Sequence, residues 1–483
     1  MLVAVVGIDA LSDPDVWWHV LLGSWILHHG SVPQVDMLSY TAAGSPLPPH
    51  EWLSQVLFAA LSAAGGLFLL ALVMAAVSWS GFVAIALGGR MRGAGAVTIG
   101  LWLALAAKAA EPVLGVRPQV FTFALLAASL GLVERHLRRG GRLIWILPLL
   151  FLVWANVHGG FVAGIAFIAL ICAVEAGKRV LHAGTPVAGH RIRQLALVTA
   201  VCAAVACITP EGAGGYTFAL SSATTEGAKG IIEWQHPNFS DPGLWPLLAL
   251  LCGFMFLAGL ALRARRLALR DAVVGVIACV SALLAVRNAS VCIAVVTPLC
   301  MGWSADLCRA RARHRRLAPP ASVTPAAITT GALLVAAAAG ALGFAVVRVQ
   351  ASASAAGIAS AYPACATSVL QRAPAPQRIF TAYADGGYVA HQLWPRDRVY
   401  IYGASDPFSR DVFLRYYRIA AGATSSPNAL QLLDESGTTA VLFPSGTLTA
   451  QLAHTPAWTH VVSDHGRQLF VRGDASWAGR LAC

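Results

Sequence analysis

Residues 66–87 read GLFLLALVMAAVSWSGFVAIAL, a run without a single charged side chain. Crossing the roughly 30 Å hydrocarbon core of a bilayer takes about 20 such residues in helical conformation, so this run is a membrane span. Comparable runs recur on its C-terminal side. They lie near Ala94–Ala110, Pro118–Leu132, Leu143–Val157, Phe161–Val174, Leu195–Ile208, Leu244–Leu262, Ala272–Val286, Ala289–Trp303 and Ala326–Val347. Some are short for a span and must continue into their flanks. The composition agrees: 57% of residues are hydrophobic, 12% are charged, and the mean hydropathy is +0.67. Soluble chains are nearer a quarter charged. The expected fold class is an α-helical polytopic membrane protein with ten or eleven spans. Met1–Leu11 is apolar apart from Asp9 but too short to span. It lacks the basic start and cleavage site of a signal peptide. It reads as the outer end of a first helix whose upstream residues are missing from this chain.

The formal charge of +12 is a matter of topology. Of the 34 lysines and arginines, 19 lie in five loops: Arg90/Arg92, Arg135–Arg142, Lys178–Arg193, Arg263–Arg270 and Arg309–Arg316. These loops alternate with the others, as cytoplasmic loops do under the positive-inside rule. Nucleic acid is therefore not an expected partner, whereas anionic membrane lipid is. Most acidic residues before residue 348 fall in the other loops, Asp13, Asp15, Asp36, Glu51, Glu111, Glu211, Glu233 and Asp241 among them. Only Glu134, Glu175, Asp271 and Asp306 share the basic ones. The acidic groups thus point to the extracytoplasmic side.

Two of those outer segments are long. Residues 12–65 open with Ser12-Asp13-Pro14, a cap-and-proline helix start, followed by an apolar stripe from Val16 to Ile26. A turn-rich stretch leads to a second short helix at Glu51–Ala64, ending at Gly65-Gly66. Trp17, Trp18, Trp25 and Trp52 suit helices in the headgroup zone. Residues 209–242 form the second loop. The small-residue stretch 351–361 reads as a linker between a transmembrane domain, 1–350, and a soluble α/β domain, 362–483. In that domain Arg378–Ala382, Arg398–Tyr402 and Thr439–Phe443 read as strands. Asp411–Ala420 and Ala429–Asp434 read as helices, and a closing hairpin turns at Asp464-His465-Gly466. Cys365 and Cys483 bracket the domain and are expected to bridge, in a compartment that permits disulfides.

No Walker loop, HExxH, CxxC or dinucleotide fingerprint occurs. The densest chemistry is Asp13-Pro14-Asp15-Val16-Trp17-Trp18-His19, two carboxylates and a histidine at a helix start. Asp15 and His19 are four residues apart and share a helix face. A carboxylate at a low-dielectric boundary suits a general base. An N-cap pair with an aromatic belt is the structural alternative at the same residues. Asp36 and His50-Glu51-Trp52 add acid–base groups. At other outer ends stand Arg117 in Arg117-Pro118-Gln119, His158 in Trp154–Gly160, and Arg287 beside Asn288. Arg117 and Arg287 suit a phosphate. Asp13, Asp15, His19 and Asp36 are compatible with a divalent metal, but their spacing does not specify one; no other cofactor is implied.

The Asp13–His19 stretch, Val32-Pro33-Gln34-Val35-Asp36, Glu51-Trp52-Leu53-Ser54, Arg117-Pro118-Gln119, Trp154–Gly160, Glu233-Trp234 and Arg287-Asn288 resemble one family across nearly the whole chain. It is a broad bacterial family of membrane proteins, many uncharacterised, described as similar to GT-C-type, lipid-phosphate-sugar-dependent glycosyltransferases. The resemblance implies an inverting transfer from a polyprenyl-phosphate sugar to an extracytoplasmic glycan, lipid or protein acceptor at the plasma membrane. It implies Asp15 as the base, Asp13 as second choice, and Arg117 and Arg287 as holders of the leaving phosphate. His19, Asp36, Glu51 and His158 are implied as substrate-positioning groups. The chain departs from the family at Tyr402-Gly403-Ala404, where members tend to carry Asp-Gly-Arg. The competing reading is a non-catalytic scaffold for envelope assembly whose C-terminal domain binds a partner, and deletion of 362–483 is expected to separate the two. A transporter fits less well, because the span interiors hold almost no ionisable groups.

Overall fold

The computed structural model describes residues 13–182, 187–221, 232–314, 340 and 343–478. The expectations for Met1–Leu11 and for most of Ala326–Val347 fall outside these residues. In chain order the helices are α1 Val16–His29, α2 Trp52–Met91, α3 Ala96–Ala110, α4 Gln119–Arg139, α5 Leu147–Val157 and α6 Phe161–Val180. Then come α7 Gly189–Val205, α8 Gly214–Ser221, α9 Trp245–Arg263, α10 Leu269–Leu284, α11 Ala289–His314 and α12 Gly343–Ser352. The C-terminal part holds α13 Ala355–Ala361, α14 Ala364–Leu370, α15 Tyr383–Leu393, α16 Arg410–Ala420, α17 Ala429–Glu435 and α18 Thr447–Ala453. Its strands are β1 Arg378–Thr381, β2 Arg398–Val399, β3 Ala440–Pro444, β4 Trp458–Asp464 and β5 Arg467–Arg472.

The chain is a multi-pass membrane protein with a small C-terminal sheet region. Five described helical segments are long and apolar enough to cross a bilayer: α2, α4, α6, 242–263 and 286–311. A sixth is added if α12 and α13 form one bent span. The remaining apolar runs form shorter helices, such as α3 and the Arg142–Val157 segment, where a 3-10 turn precedes α5.

Contacts group the described residues into two units: 71–220 with 232–349, and 13–70 with 350–478. The first is the helical one. Its polar interior is a network of paired charges. Arg92 is bidentate on Asp271, at 2.8 and 3.2 Å, and also reaches Glu134 at 3.3 Å. Arg270 bridges Glu134 at 2.9 Å and Asp271 at 3.2 Å, while Lys178 holds Glu175 at 2.9 Å. Glu134, Glu175 and Asp271 are therefore the partners of the basic loops in which the sequence places them. A cavity walled by Ala84, Gly88, Leu130, Val274 and Pro298 ends on Arg92, Glu134, Arg270 and Asp271. Because these charges neutralise one another, it offers no excess charge to an anion.

The second unit joins the first polar loop to the C-terminal part. Its sheet runs β2-β1-β3-β5-β4, with β2, β1 and β3 parallel and β5 and β4 antiparallel. In β1 and β3 the runs Ile379–Thr381 and Ala440–Leu442 are buried. The β4–β5 hairpin turns on His465 and Gly466, both at positive φ, the backbone that a two-residue hairpin loop demands. Beyond β2 the polar loop adds one more rung: Tyr40 N–H donates to Val399 O at 3.1 Å, and Val399 N–H to Leu38 O at 3.2 Å. β2 is two residues long rather than the five expected: Tyr400 N–H still donates to Ile379 O at 2.8 Å, but the Tyr400 carbonyl accepts the Thr41 hydroxyl and the Tyr402 hydroxyl turns to Asp36. Trp17 of α1 packs edge-on against Tyr362 and Tyr388, with ring centroids 5.3 and 5.0 Å apart. The stretch expected as a linker contains α13, capped by the Ser354 hydroxyl. Cys365, on α14, is disulfide-bonded; its expected partner Cys483 lies outside the described residues. The helical run of α2 breaks at Gly65 and Gly66, where the sequence ends its second loop helix; Gly66 adopts φ +66, ψ −171, a conformation open only to glycine.

Candidate functional site

In the second unit the acidic turn precedes α1. Asp13 is 1% exposed, and its Oδ1 accepts the Asp15 N–H at 3.1 Å. Asp15 occupies the N-cap position, yet its carboxylate makes no capping bond. Instead Oδ1 accepts the Trp18 indole N–H at 3.1 Å. Trp18 lies over His19, with ring centroids 3.6 Å apart. His19 Nε2 stands 3.7 Å from one Glu51 oxygen, and His50 Nε2 stands 3.5 Å from the other. Glu51 thus links two imidazoles. Burial opposes a charge on His50, but Glu51 and then Asp406 outweigh it and raise its pKa from 6.5 to about 9. His50 is therefore an imidazolium at neutral pH.

Asp36 lies further along the loop. It is 2% exposed and accepts from Leu38 N–H and Ser39 N–H at 3.2 Å, from the Ser39 hydroxyl, and from Tyr402 O–H at 2.9 Å. Four donors use both of its oxygens, so in this structure it ties the loop to the C-terminal part.

That part also supplies groups the sequence reading passed over. Tyr383 O–H donates to Gly403 O at 2.9 Å. Burial, then the Asp15 and Asp406 carboxylates, push the Tyr383 phenol well above its ordinary pKa. Asp406 also acts on His50 and on Tyr402. Its one signal in the sequence is that Ser405-Asp406-Pro407 repeats the tripeptide Ser12-Asp13-Pro14. Among the described residues, no three His, Cys, Asp or Glu side chains gather in a way that could hold a metal ion.

Arg117, His158 and Arg287 belong to the helical unit, where α4 organises them. Gln119 Nε2 donates to Arg287 O at 2.8 Å, and one turn further Thr122 Oγ1 meets His158 Nδ1 at 2.7 Å. Positions three apart share a helix face, so α4 holds both segments on one side. His158 Nδ1 also accepts the Gly160 N–H at 2.9 Å, while Thr122 Oγ1 accepts the Trp154 indole N–H at 2.9 Å. The Thr122 hydroxyl is then the donor to Nδ1, which leaves the imidazole proton on Nε2. Arg117 pairs with Glu233, and the Arg287 guanidinium lies 3.8 Å from the centroid of the Trp234 ring. One 3-10 turn, Ile232–Trp234, thereby engages both arginines.

The chain has a GT-C-like helical membrane fold with a small C-terminal sheet region. Among solved structures the chain is similar to the archaeal oligosaccharyltransferase AglB from Archaeoglobus fulgidus, in complex with an inhibitory peptide and a dolichol-phosphate. The TM-score is 0.58 at 12% identity, covering 97% of this chain and 71% of the other. It is also similar to the apo form of the Archaeoglobus fulgidus oligosaccharyltransferase, with TM-score 0.55 at 13% identity over 96% and 71%. The form tethered to an acceptor peptide containing the NVT sequon gives 0.54 at 12% over 98% and 71%. No family model matches the sequence, and no curated protein matches it.

Proposed function

We propose that this chain is a membrane glycosyltransferase moving a sugar from a polyprenyl-phosphate donor to an extracytoplasmic acceptor, with inversion. The observation that carries the reading is the likeness of fold, over nearly the whole chain, to an oligosaccharyltransferase solved with a dolichol-phosphate and a peptide. The alternation of basic loops supports placing the acidic loop and the C-terminal part on the extracytoplasmic side.

In the proposed step the acceptor oxygen attacks the anomeric carbon, the carbon–oxygen bond to phosphate breaks, and its electron pair stays with the phosphate. The acceptor proton goes to Asp15, whose carboxylate accepts the Trp18 indole N–H. Asp13 fixes the turn by accepting the Asp15 N–H. Arg117 and Arg287 supply the positive charge a departing phosphate requires, and Glu233 keeps Arg117 paired until phosphate competes for it. His19, Asp36, Glu51 and His158 are the proposed substrate-positioning groups. No step is routed through a metal.

The test is turnover of polyprenyl-phosphate-linked hexoses by the purified full chain, comparing Asp15→Asn and Asp13→Asn with the parent. Loss in Asp15→Asn supports the reading. Full activity in both variants removes the assigned mechanism, and absence of turnover by the parent favours the scaffold.

A further inference from the structure

Gly403 stands directly against the Asp15 carboxylate. A β-carbon at position 403 would overlap Asp15 Oδ1, lie 2.8 Å from Asp15 Cγ, and lie 2.8 Å from Trp18 Nε1. It would thus collide with both partners of the Asp15–Trp18 hydrogen bond at once. The φ of Gly403 is not in the left-handed region, so the reason for glycine here is space and not backbone conformation. The Tyr383 hydroxyl donates to the Gly403 carbonyl at 2.9 Å. One residue earlier, the Tyr402 hydroxyl is fixed on Asp36. At Gly387 of α15, a β-carbon would come 3.1 Å from Pro14 O and 3.3 Å from Trp18 Cδ1, so the same turn is approached from a second C-terminal element.

We infer that Gly403 is a positioning residue for Asp15: its bare backbone, clamped by Tyr383, forms the seat that sets the direction of the carboxylate. The Tyr402-Gly403-Ala404 segment then acts on the reaction through the base rather than by touching substrate. The C-terminal α/β part is, on this inference, a component of the catalytic apparatus. It rests on the proposed function only in naming Asp15 as the base; the contact itself does not depend on that reading.

Two experiments separate the parts. In the full chain carrying Asp15→Cys and Gly403→Cys, a disulfide is expected to form in membranes, because the spacing from Cγ to the introduced β-carbon suits one. Peptide mapping without reduction reads it, and absence of the link overturns the contact. For the role, Gly403→Ala is compared with the parent in turnover of a polyprenyl-phosphate hexose. A displacement of the base by about 1 Å is expected to lower kcat by about 10- to 100-fold, with KM for the donor unchanged. In the Asp15→Asn background the same change should have no further effect, since two residues acting through one group are not additive. Unchanged kcat in Gly403→Ala, a raised KM alone, or full additivity with Asp15→Asn overturns the positioning role. Should Gly403→Ala fail to fold, Tyr383→Phe, which releases the Gly403 carbonyl without adding an atom at 403, is expected to lower kcat with KM for the donor unchanged, and an unchanged kcat there overturns the positioning role. If the parent transfers no sugar while the disulfide forms, the proposed function fails and the contact stands.

Discussion

At the residue scale, the carboxylates differ in what surrounds them. Asp13 and Asp36 are buried, Asp36 with four donors on its two oxygens, whereas Asp15 accepts the Trp18 indole N–H and makes no side-chain cap bond. Removing a general base costs about 10²–10⁴ in rate, so Asp15→Asn is expected to lower kcat within that range in a donor-turnover assay. His50 gives a prediction for stability. Its folded pKa of about 9 lies above the 6.5 of the free side chain. Its contribution is therefore fully present below about pH 6.5 and disappears as the pH rises through about 9. The Tm difference between parent and His50→Gln should be largest near pH 6 and shrink toward pH 10. An equal difference at both ends would remove the Glu51–His50 pair as its cause.

At the element scale, the informative piece is the loop rung added beside β2. Leu38–Tyr40 exchange backbone hydrogen bonds with Val399, and Asp36 gathers two backbone N–H groups and two hydroxyls around the same place. Asp36→Ala leaves several of these buried donors without an acceptor, at about 1–3 kcal/mol each. The expected result is faster hydrogen exchange at residues 38–40 and 399–402, together with a lower Tm; unchanged exchange would show that the rung holds without Asp36. Both strands of the β4–β5 hairpin were legible in the sequence, since their turn chemistry is local. The shortened β2 was not, because its length is set by residues some 360 positions earlier in the chain.

At the scale of the whole molecule, two organising contacts lie each within one unit. In the helical unit Asp271 answers Arg92 and Arg270 together. Breaking a buried pair from one side costs about 3–5 kcal/mol, so Asp271→Asn should lower thermal stability markedly in detergent. The second contact changes the meaning of a deletion. Removing residues 362–483 would distinguish a scaffold from an enzyme only if the C-terminal part stood apart from the first loop. It does not: Trp17 packs on Tyr362 and Tyr388, and Gly403 seats Asp15. The deletion is expected to abolish function under either reading, with increased protease sensitivity of residues 16–29 as the sign that α1 has lost its support.

The sequence by itself determined the membrane class, most helix and strand positions, the separation of basic from acidic loops, and the acidic turn at Asp13–His19. Each of these is written in local periodicity, composition or charge. Only the tertiary structure decided what the polar residues do. It set Asp36 as a tie to Tyr402, joined His19 and His50 through Glu51, brought Arg117 and Arg287 to one turn, and placed Gly403 against Asp15. The physical reason is that a hydrogen bond or a steric seat depends on which backbone arrives from a distant part of the chain. A glycine that matters for the space it leaves empty carries no signal in the residues beside it.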